Sequence, residues 1–457
     1  MAGGWGVSIM RDRGVGPVVT WVAIAVFVLA VPGYGLAGDP AAAKGAFAPG
    51  ELLDNTNWGK ADGLLPPEIL RHYRNGEYAN RVVPWDGLMQ WDPEWQEAVR
   101  SNERKLTVDE AGTIIDETTG KQPPHILGYP FPVIDPEESD AAIKILWNHL
   151  YDWYHNGNRH NTIELTWLAR KGVSRKASEA AYFLYYDGQP RARTPRENPN
   201  NLLVQFVATT LDPVELQGTT ALSWRYRDAE PDALWSYVPA LRRVRSISPT
   251  NRSDGFLGSD MSQDDGVFFD GKPEDFLWKV VGEKEQLVLA DPFRQRGECV
   301  TTPLPEGGWQ TDFKDVPMAG FQDPAWNGIG WAPVSQVLIR RPVWVIEGVP
   351  RDRYYLYGKI QLHIDKETFH GSWNRKFDWK GELLNTFQVT GTGPNRTLDG
   401  GKSYLAFGCT FVRIAENMKL YRATVSAVDP KTKLINRNAV PIDPGLFDHA
   451  NLARFSK

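Results

Sequence analysis

The residues best suited to chemistry are scattered rather than gathered into a motif. His149, His155 and His160 fall close together in HLYDWYHNGNRH. Their spacings of six and five do not share one helical face, whereas a metal pair on a helix sits three or four residues apart. They are read as ordinary surface histidines, and no metal is expected. Asp254, Asp260, Asp264, Asp265 and Asp270 form an acidic stretch, DGFLGSDMSQDDGVFFD. A calcium loop places alternating oxygen ligands ahead of its glycine; Asp264-Asp265-Gly266 lacks them upstream. The stretch reads as a mobile charged loop at a cavity rim, able to pair with Arg242, Arg243 or Arg245. Cys299 and Cys409 form a disulfide or stay as two buried thiols, and spacing does not choose between them. Abundant tryptophan with spare carboxylates suits a glycan cleft, where two acids stand about 5–9 Å apart, but nothing singles out a pair. There is no Gly-x-Ser-x-Gly elbow, His-Glu-x-x-His helix or phosphate loop. No catalytic residue and no cofactor is assigned.

With no enzyme signature, composition sets the next limits. The formal net charge is −5, which argues against a nucleic-acid partner. With 18 Trp, 16 Tyr and 19 Phe in 457 residues, the chain carries much flat apolar surface. Arg11 and Arg13 precede the apolar run VGPVVTWVAIAVFVLAV, and the small-residue site Gly35-Leu36-Ala37 follows. This is the pattern of a cleaved secretory signal peptide over residues 1–37. It predicts export across a membrane.

The elements fall into two parts. Residues 38–160 read as an irregular, helical arm or lid, with helices over Pro66–Gly76 and Ser139–Tyr154. From 161 to 457 the period becomes two, predicting an antiparallel meander of half-buried strands. Thr219–Asp228 sets Leu222, Trp224 and Tyr226 against Ser223, Arg225 and Arg227. Tyr354–Asp365 sets Tyr354, Leu356, Ile360, Leu362 and Ile364 on one face. Ser372–Lys380 aligns Trp373, Phe377 and Trp379. Further strands are expected at 203–210, 234–238, 243–248, 276–281, 286–290, 343–347, 383–390, 404–413 and 419–428. In WSYVPALRRVR, Trp235–Pro239 and Arg243–Ile247 read as strands joined by a turn, with the arginines toward solvent at the rim.

A bent sheet with one apolar face needs a cover, and a cavity is expected where that cover leaves a gap. Its expected lining is Leu222, Trp224, Tyr226, Trp235, Tyr237, Leu356, Ile360, Leu362, Trp373 and Phe377, with Arg242, Arg243 and Arg245 as rim charges.

The stretches YPFPVIDPEESDAAIKILWNHL, LWSYVPALRRVRSI, DGFLGSDMSQDD and LYGKIQLHIDKETFHGSWNRKFDWKGEL, with the signal peptide, resemble domain-of-unknown-function family 1329. That family is similar to the outer-membrane lipoprotein-sorting carriers LolA and LolB. The resemblance implies an α+β, mainly β fold: an incomplete β-barrel covered by helices, here with an extended N-terminal arm. It implies a non-catalytic carrier or receptor for a lipid-like molecule in the periplasm of a Gram-negative envelope, and an inner-membrane exporter of the resistance-nodulation-division class as a partner. The chain departs from the carriers in its length and its Trp-rich arm. The alternatives are a glycan-binding or glycan-processing envelope protein and a structural subunit of an envelope complex.

Overall fold

Alternation drives the chain into strands, and strands need neighbours. The computed structural model describes residues 45–85, 91–290, 299–313, 316–390, 395–399, 402–406, 412–427 and 435–456. The expected signal peptide lies outside them, as does Cys409 and with it any bridge to Cys299. The N-terminal part holds β1 (Glu51–Leu53), α1 (Pro67–Arg74), β2 (Asn80–Val83), α2 (Pro93–Asn102), the hairpin β3 (Leu106–Val108) and β4 (Ile114–Asp116), and α3 (Ala141–Tyr154). A run of antiparallel strands follows: β5 (Arg159–Ala169), β6 (Gly172–Tyr185), β7 (Leu202–Asp212), β8 (Thr220–Tyr226), β9 (Ala233–Val238) and β10 (Arg243–Ile247). After a crossing segment, residues 248–275, come β11 (Phe276–Ala290), β12 (Cys299–Pro303), β13 (Trp309–Phe313), β14 (Val337–Pro350), β15 (Lys359–Asp365) and β16 (Gly371–Phe377). The chain ends with β17 (Leu383–Val389), β18 (Asn395–Asp399), β19 (Lys402–Ala406), β20 (Val412–Asn417), β21 (Arg422–Ala427), β22 (Asn436–Asn438) and short 3-10 turns at Pro444–Phe447 and His449–Ser456.

The described strands make one 18-stranded sheet and two small hairpins. Its spine runs β11, β14, β15, β16, β17, β20, β21, β5, β6, β7, β8, β9, β10, every pair antiparallel. The end strands β10 and β11 do not pair, so the barrel is curved but unclosed. The arm is stitched in: β1 pairs with β2, and β2 lies parallel to the start of β14.

Both faces of the sheet are covered, not one. On the concave side, α3 packs Ile145, Leu146, Trp147 and Leu150 into a core with Ile346, Ile360, Leu362, Ile364 and Phe387. Nearly all of α3 is buried, including Asn148, His149 and Asp152, as expected of a helix enclosed on all sides rather than an amphipathic lid. On the convex side, α1 and residues 316–334 bury Trp373, Ile414 and Val425 beneath Tyr73, Tyr78 and Trp331. The C-terminal turns cover the convex side of β7–β9 with Phe447 and Leu452.

Two expectations need correction here. The strand expected over Tyr354–Asp365 begins only at Lys359. Before it the chain turns, leaving Tyr354 90% and Leu356 46% exposed while Tyr355 and Tyr357 are buried. The acidic stretch is no mobile rim loop: Asp260, Asp265 and Asp270 are clamped by strand side chains on the concave side of the sheet, and Asp264 by Arg252 and Tyr355.

Candidate functional site

The crossing segment and the sheet together make a cleft. The segment runs from one sheet edge to the other across the concave face, and polar side chains of the strands hold it. Arg422 grips Asp260 in a fork, with Nε to Oδ2 at 3.0 Å and Nη2 to Oδ1 at 3.0 Å. Asn385 donates to the Asp260 carbonyl at 3.1 Å, and Asn374 to that of Phe268 at 3.0 Å. Lys376 pairs with Asp265. Arg175 reaches the Leu257 carbonyl.

Behind the segment the concave face of strands β5–β8 is only partly covered, leaving a cleft with about 120 Å³ of free space. Its apolar wall is Ile163, Leu165, Phe183, Tyr185, Val204, Phe206 and Ala221 from the sheet, with Leu150, Trp153 and Tyr154 from α3. Phe256, Met261 and Val267 face them from the segment. Direct pairing puts these sheet residues on one face: Phe183 opposes Phe206, Phe206 opposes Ser223, and Ala208 opposes Ala221.

Charge is concentrated at the cleft and is mostly neutralised. Arg225 binds Asp232 at 2.8 Å and Asp270 at 3.0 Å. Arg252 binds Asp264 at 2.5 Å and lies 3.4 Å from Asp232. Tyr355 donates to the other Asp264 oxygen at 2.7 Å. Burial works to raise Asp232, but Arg225, Arg252 and Lys272 hold it below the usual carboxylate range. Glu179 lies on the wall, 3% exposed. Burial pushes it up to about 7, against the Thr210 hydroxyl at 3.4 Å and the charge of Arg413. Burial, with the like charge of Arg159, lowers Arg413 to about 10.

None of the ten residues expected to line a cavity lines this cleft. Leu222, Trp224, Tyr226, Trp235 and Tyr237 sit on the opposite, convex face. The alternation in β8 is as read, but the cleft faces Ala221, Ser223 and Arg225. The large apolar set goes where a permanent cover can keep it dry: Trp224 donates to the Phe447 carbonyl at 3.0 Å, and Trp235 stacks on His449 at 4.9 Å. Ile360 and Leu362 are on the concave side but fully packed beneath α3. Trp373 is convex core, donating to the Leu287 carbonyl at 2.9 Å. Phe377 is convex and half-buried under Lys359, and Leu356 lies in the turn before β15. Arg242, Arg243 and Arg245 are exposed on the edge hairpin, away from the cleft. The partners of the acidic stretch are instead Arg225, Arg252, Lys376 and Arg422.

The three histidines also separate. His149 is buried, its Nδ1 2.9 Å from the Phe369 carbonyl, and burial drops it to about 3. His155 is buried beside Asp92, at 3.2 Å. His160 stacks on Tyr182 at 4.2 Å. Two of the three are therefore interior rather than surface groups. Among the described residues, no cluster of histidine, cysteine and acids is placed to hold a metal.

The sequence reading missed β5 and β6, which supply most of the wall. Arg175, Ala177, Glu179, Ala181, Phe183 and Tyr185 do alternate with their neighbours, but charged and small residues weaken the apolar contrast. The usable signal was the turn Arg170-Lys171 between two runs of alternation.

The family model described as Protein of unknown function (DUF1329) matches residues 53–395. Among solved structures, a domain from Vibrio parahaemolyticus described as outer membrane lipoprotein-sorting is 17% identical, with a TM-score of 0.45 over 69% of this chain and 100% of that one. A DUF1329 family protein from Desulfovibrio piger is 15% identical, with a TM-score of 0.43 over 70% of this chain and 99% of that one. A LolA superfamily protein from Nitrosomonas europaea is 11% identical, with a TM-score of 0.37 over 67% and 97%. No curated protein matches the chain.

Proposed function

The chain belongs to the DUF1329 family, and from that premise and the cleft behind the crossing segment we propose an exported, non-catalytic carrier or receptor for a hydrophobic, lipid-like molecule. The observation that carries the reading is the unfilled apolar wall of β5–β8. Each methylene buried there is worth about 0.8 kcal/mol, so a medium-length chain gains several kcal/mol before ordering costs. Release is expected to require movement of the segment, which is held by polar contacts to strand side chains and by the buried rings of Phe268 and Phe269. The periplasm is the proposed site of action, on the strength of the leader-like N-terminus; the exporter partner rests on the family resemblance alone. A glycan cleft is less well supported. Among the described residues, Trp95, Trp147, Trp153, Trp331 and Trp373 are fully buried, and Trp379 is the one clearly exposed tryptophan.

Protein purified without detergent, extracted and analysed by mass spectrometry, is expected to yield bound lipid. Ala221→Trp, which fills the cleft from its floor, should yield much less while keeping the circular dichroism spectrum. Wild-type protein that emerges empty and takes up no lipid when offered it overturns the reading.

A further inference from the structure

We propose that the cleft takes an amphiphile with an anionic head, a carboxylate or a phosphate, and that Arg159 and Arg413 hold that head. The proposal rests on the carrier reading and names its ligand class. The charged side chains lining the cleft are Arg159, Glu179, Arg225, Arg252, Asp270 and Arg413. Arg225 and Arg252 are already answered by Asp232, Asp264 and Asp270. Arg159 and Arg413 are not: among the described residues, neither has a carboxylate within ion-pair distance. Arg159 is 4% exposed. It donates to the Tyr185 hydroxyl, lies 4.4 Å from the Phe183 ring centre, and has a buried Nε with no hydrogen-bond partner. Arg413 donates to the Gly266 carbonyl at 2.5 Å and to Ser426 Oγ at 2.9 Å, both neutral acceptors.

A guanidinium taken from water is costly unless an anion meets it. Stacking on Phe183 offsets part of that cost, and Glu179, ionising only near 7, offsets little more below that pH. The acids acting on Arg413 are Glu179 and Asp265, and Asp265 is already paired with Lys376, so the two cations are left under-neutralised on an otherwise greasy wall. An anionic head supplies what is missing, and the planar guanidinium suits a two-oxygen group. The chain behind the head then lies along Ile163, Leu165 and Phe206.

Delipidated full-length protein is titrated calorimetrically at pH 8 with decanoate, decyl phosphate and decanol, which share one tail. The anions are expected to bind about tenfold or more tighter than decanol, the ratio that one or two charge-assisted hydrogen bonds supply. Whichever anion binds tighter identifies the head, and either supports the assignment. Arg159→Met with Arg413→Met should bring the anions down to the decanol level. Glu179→Gln, which removes the competing carboxylate, should tighten the anions in a protein whose fold is undisturbed. It decides the matter should the arginine variant not fold, since unchanged decanoate affinity there counts against the proposal. Equal affinity for all three ligands in the wild type overturns the head-group assignment and leaves the carrier reading standing. Binding of none overturns both.

Discussion

At the scale of single residues, Glu179 is the group whose environment has the clearest thermodynamic consequence. It ionises near 4.5 in an unfolded chain and near 7 in place. Its protonated form is thus favoured by folding, and the stability this gives is complete below about pH 4.5. That stability is lost as pH rises through about 7. Glu179→Gln should therefore raise the unfolding free energy at pH 8 by up to about 3 kcal/mol and change it little at pH 4.5, as urea titrations at the two pH values would measure. No change at pH 8 would place Glu179 in a wetter setting than the cleft wall. The alternation that put Ser223 and Arg225 together was legible in the sequence. Which face held the cleft was not. Residue types distinguish the drier face from the wetter one, and Leu222 and Trp224 do occupy the drier face, under Phe447. A cleft open to water belongs on the wetter one.

At the scale of elements, α1 shows how the arm is joined to the sheet. His72 lies fully buried between Glu77 at 2.7 Å and Glu416 on β20 at 2.8 Å. Burial opposes its charge, yet the two carboxylates raise it to about 9. The stability this pairing gives is complete below about pH 6.5 and lost as pH rises through about 9. His72→Ala strands Glu416 without its close cation and should cost about 3–5 kcal/mol near neutrality. Thermal melts between pH 6 and 10 should show the wild type converging on the variant at the alkaline end; parallel curves would mean that His72 is neutral throughout. Sequence reading found α1, α3 and the hairpin β9–β10, whose punctuation by proline and turn residues is local. It broke the single strand β11 in two at the bulge between Val280 and Gly282, where the pattern slips by one residue. It passed over β5 and β6 because a wall that faces a cleft mixes Glu179 and Arg159 with Phe183 and so loses the contrast that period-two reading depends on.

At the scale of the whole molecule, the open curved sheet was foreseen, and its second cover was not. Burial on the convex side depends on partners far away in sequence, α1 for Trp373 and the C-terminal turns for Trp224, which no local pattern reports. The crossing segment joins β10 to β11, yet no strand pairing of the sheet uses its residues 248–275. A protease site introduced at its exposed turn, Asp254–Gly258, offers a direct check. Cleaved protein should keep the far-ultraviolet circular dichroism of the sheet and lose its lipid; retention of lipid after complete cleavage would show that the segment does not close the cleft. On the proposed carrier reading, architecture and closure reside in different stretches of chain. A lineage can remodel the shutter of such a vessel, by length or by charge, without renegotiating a single rung of the ladder that forms its hull.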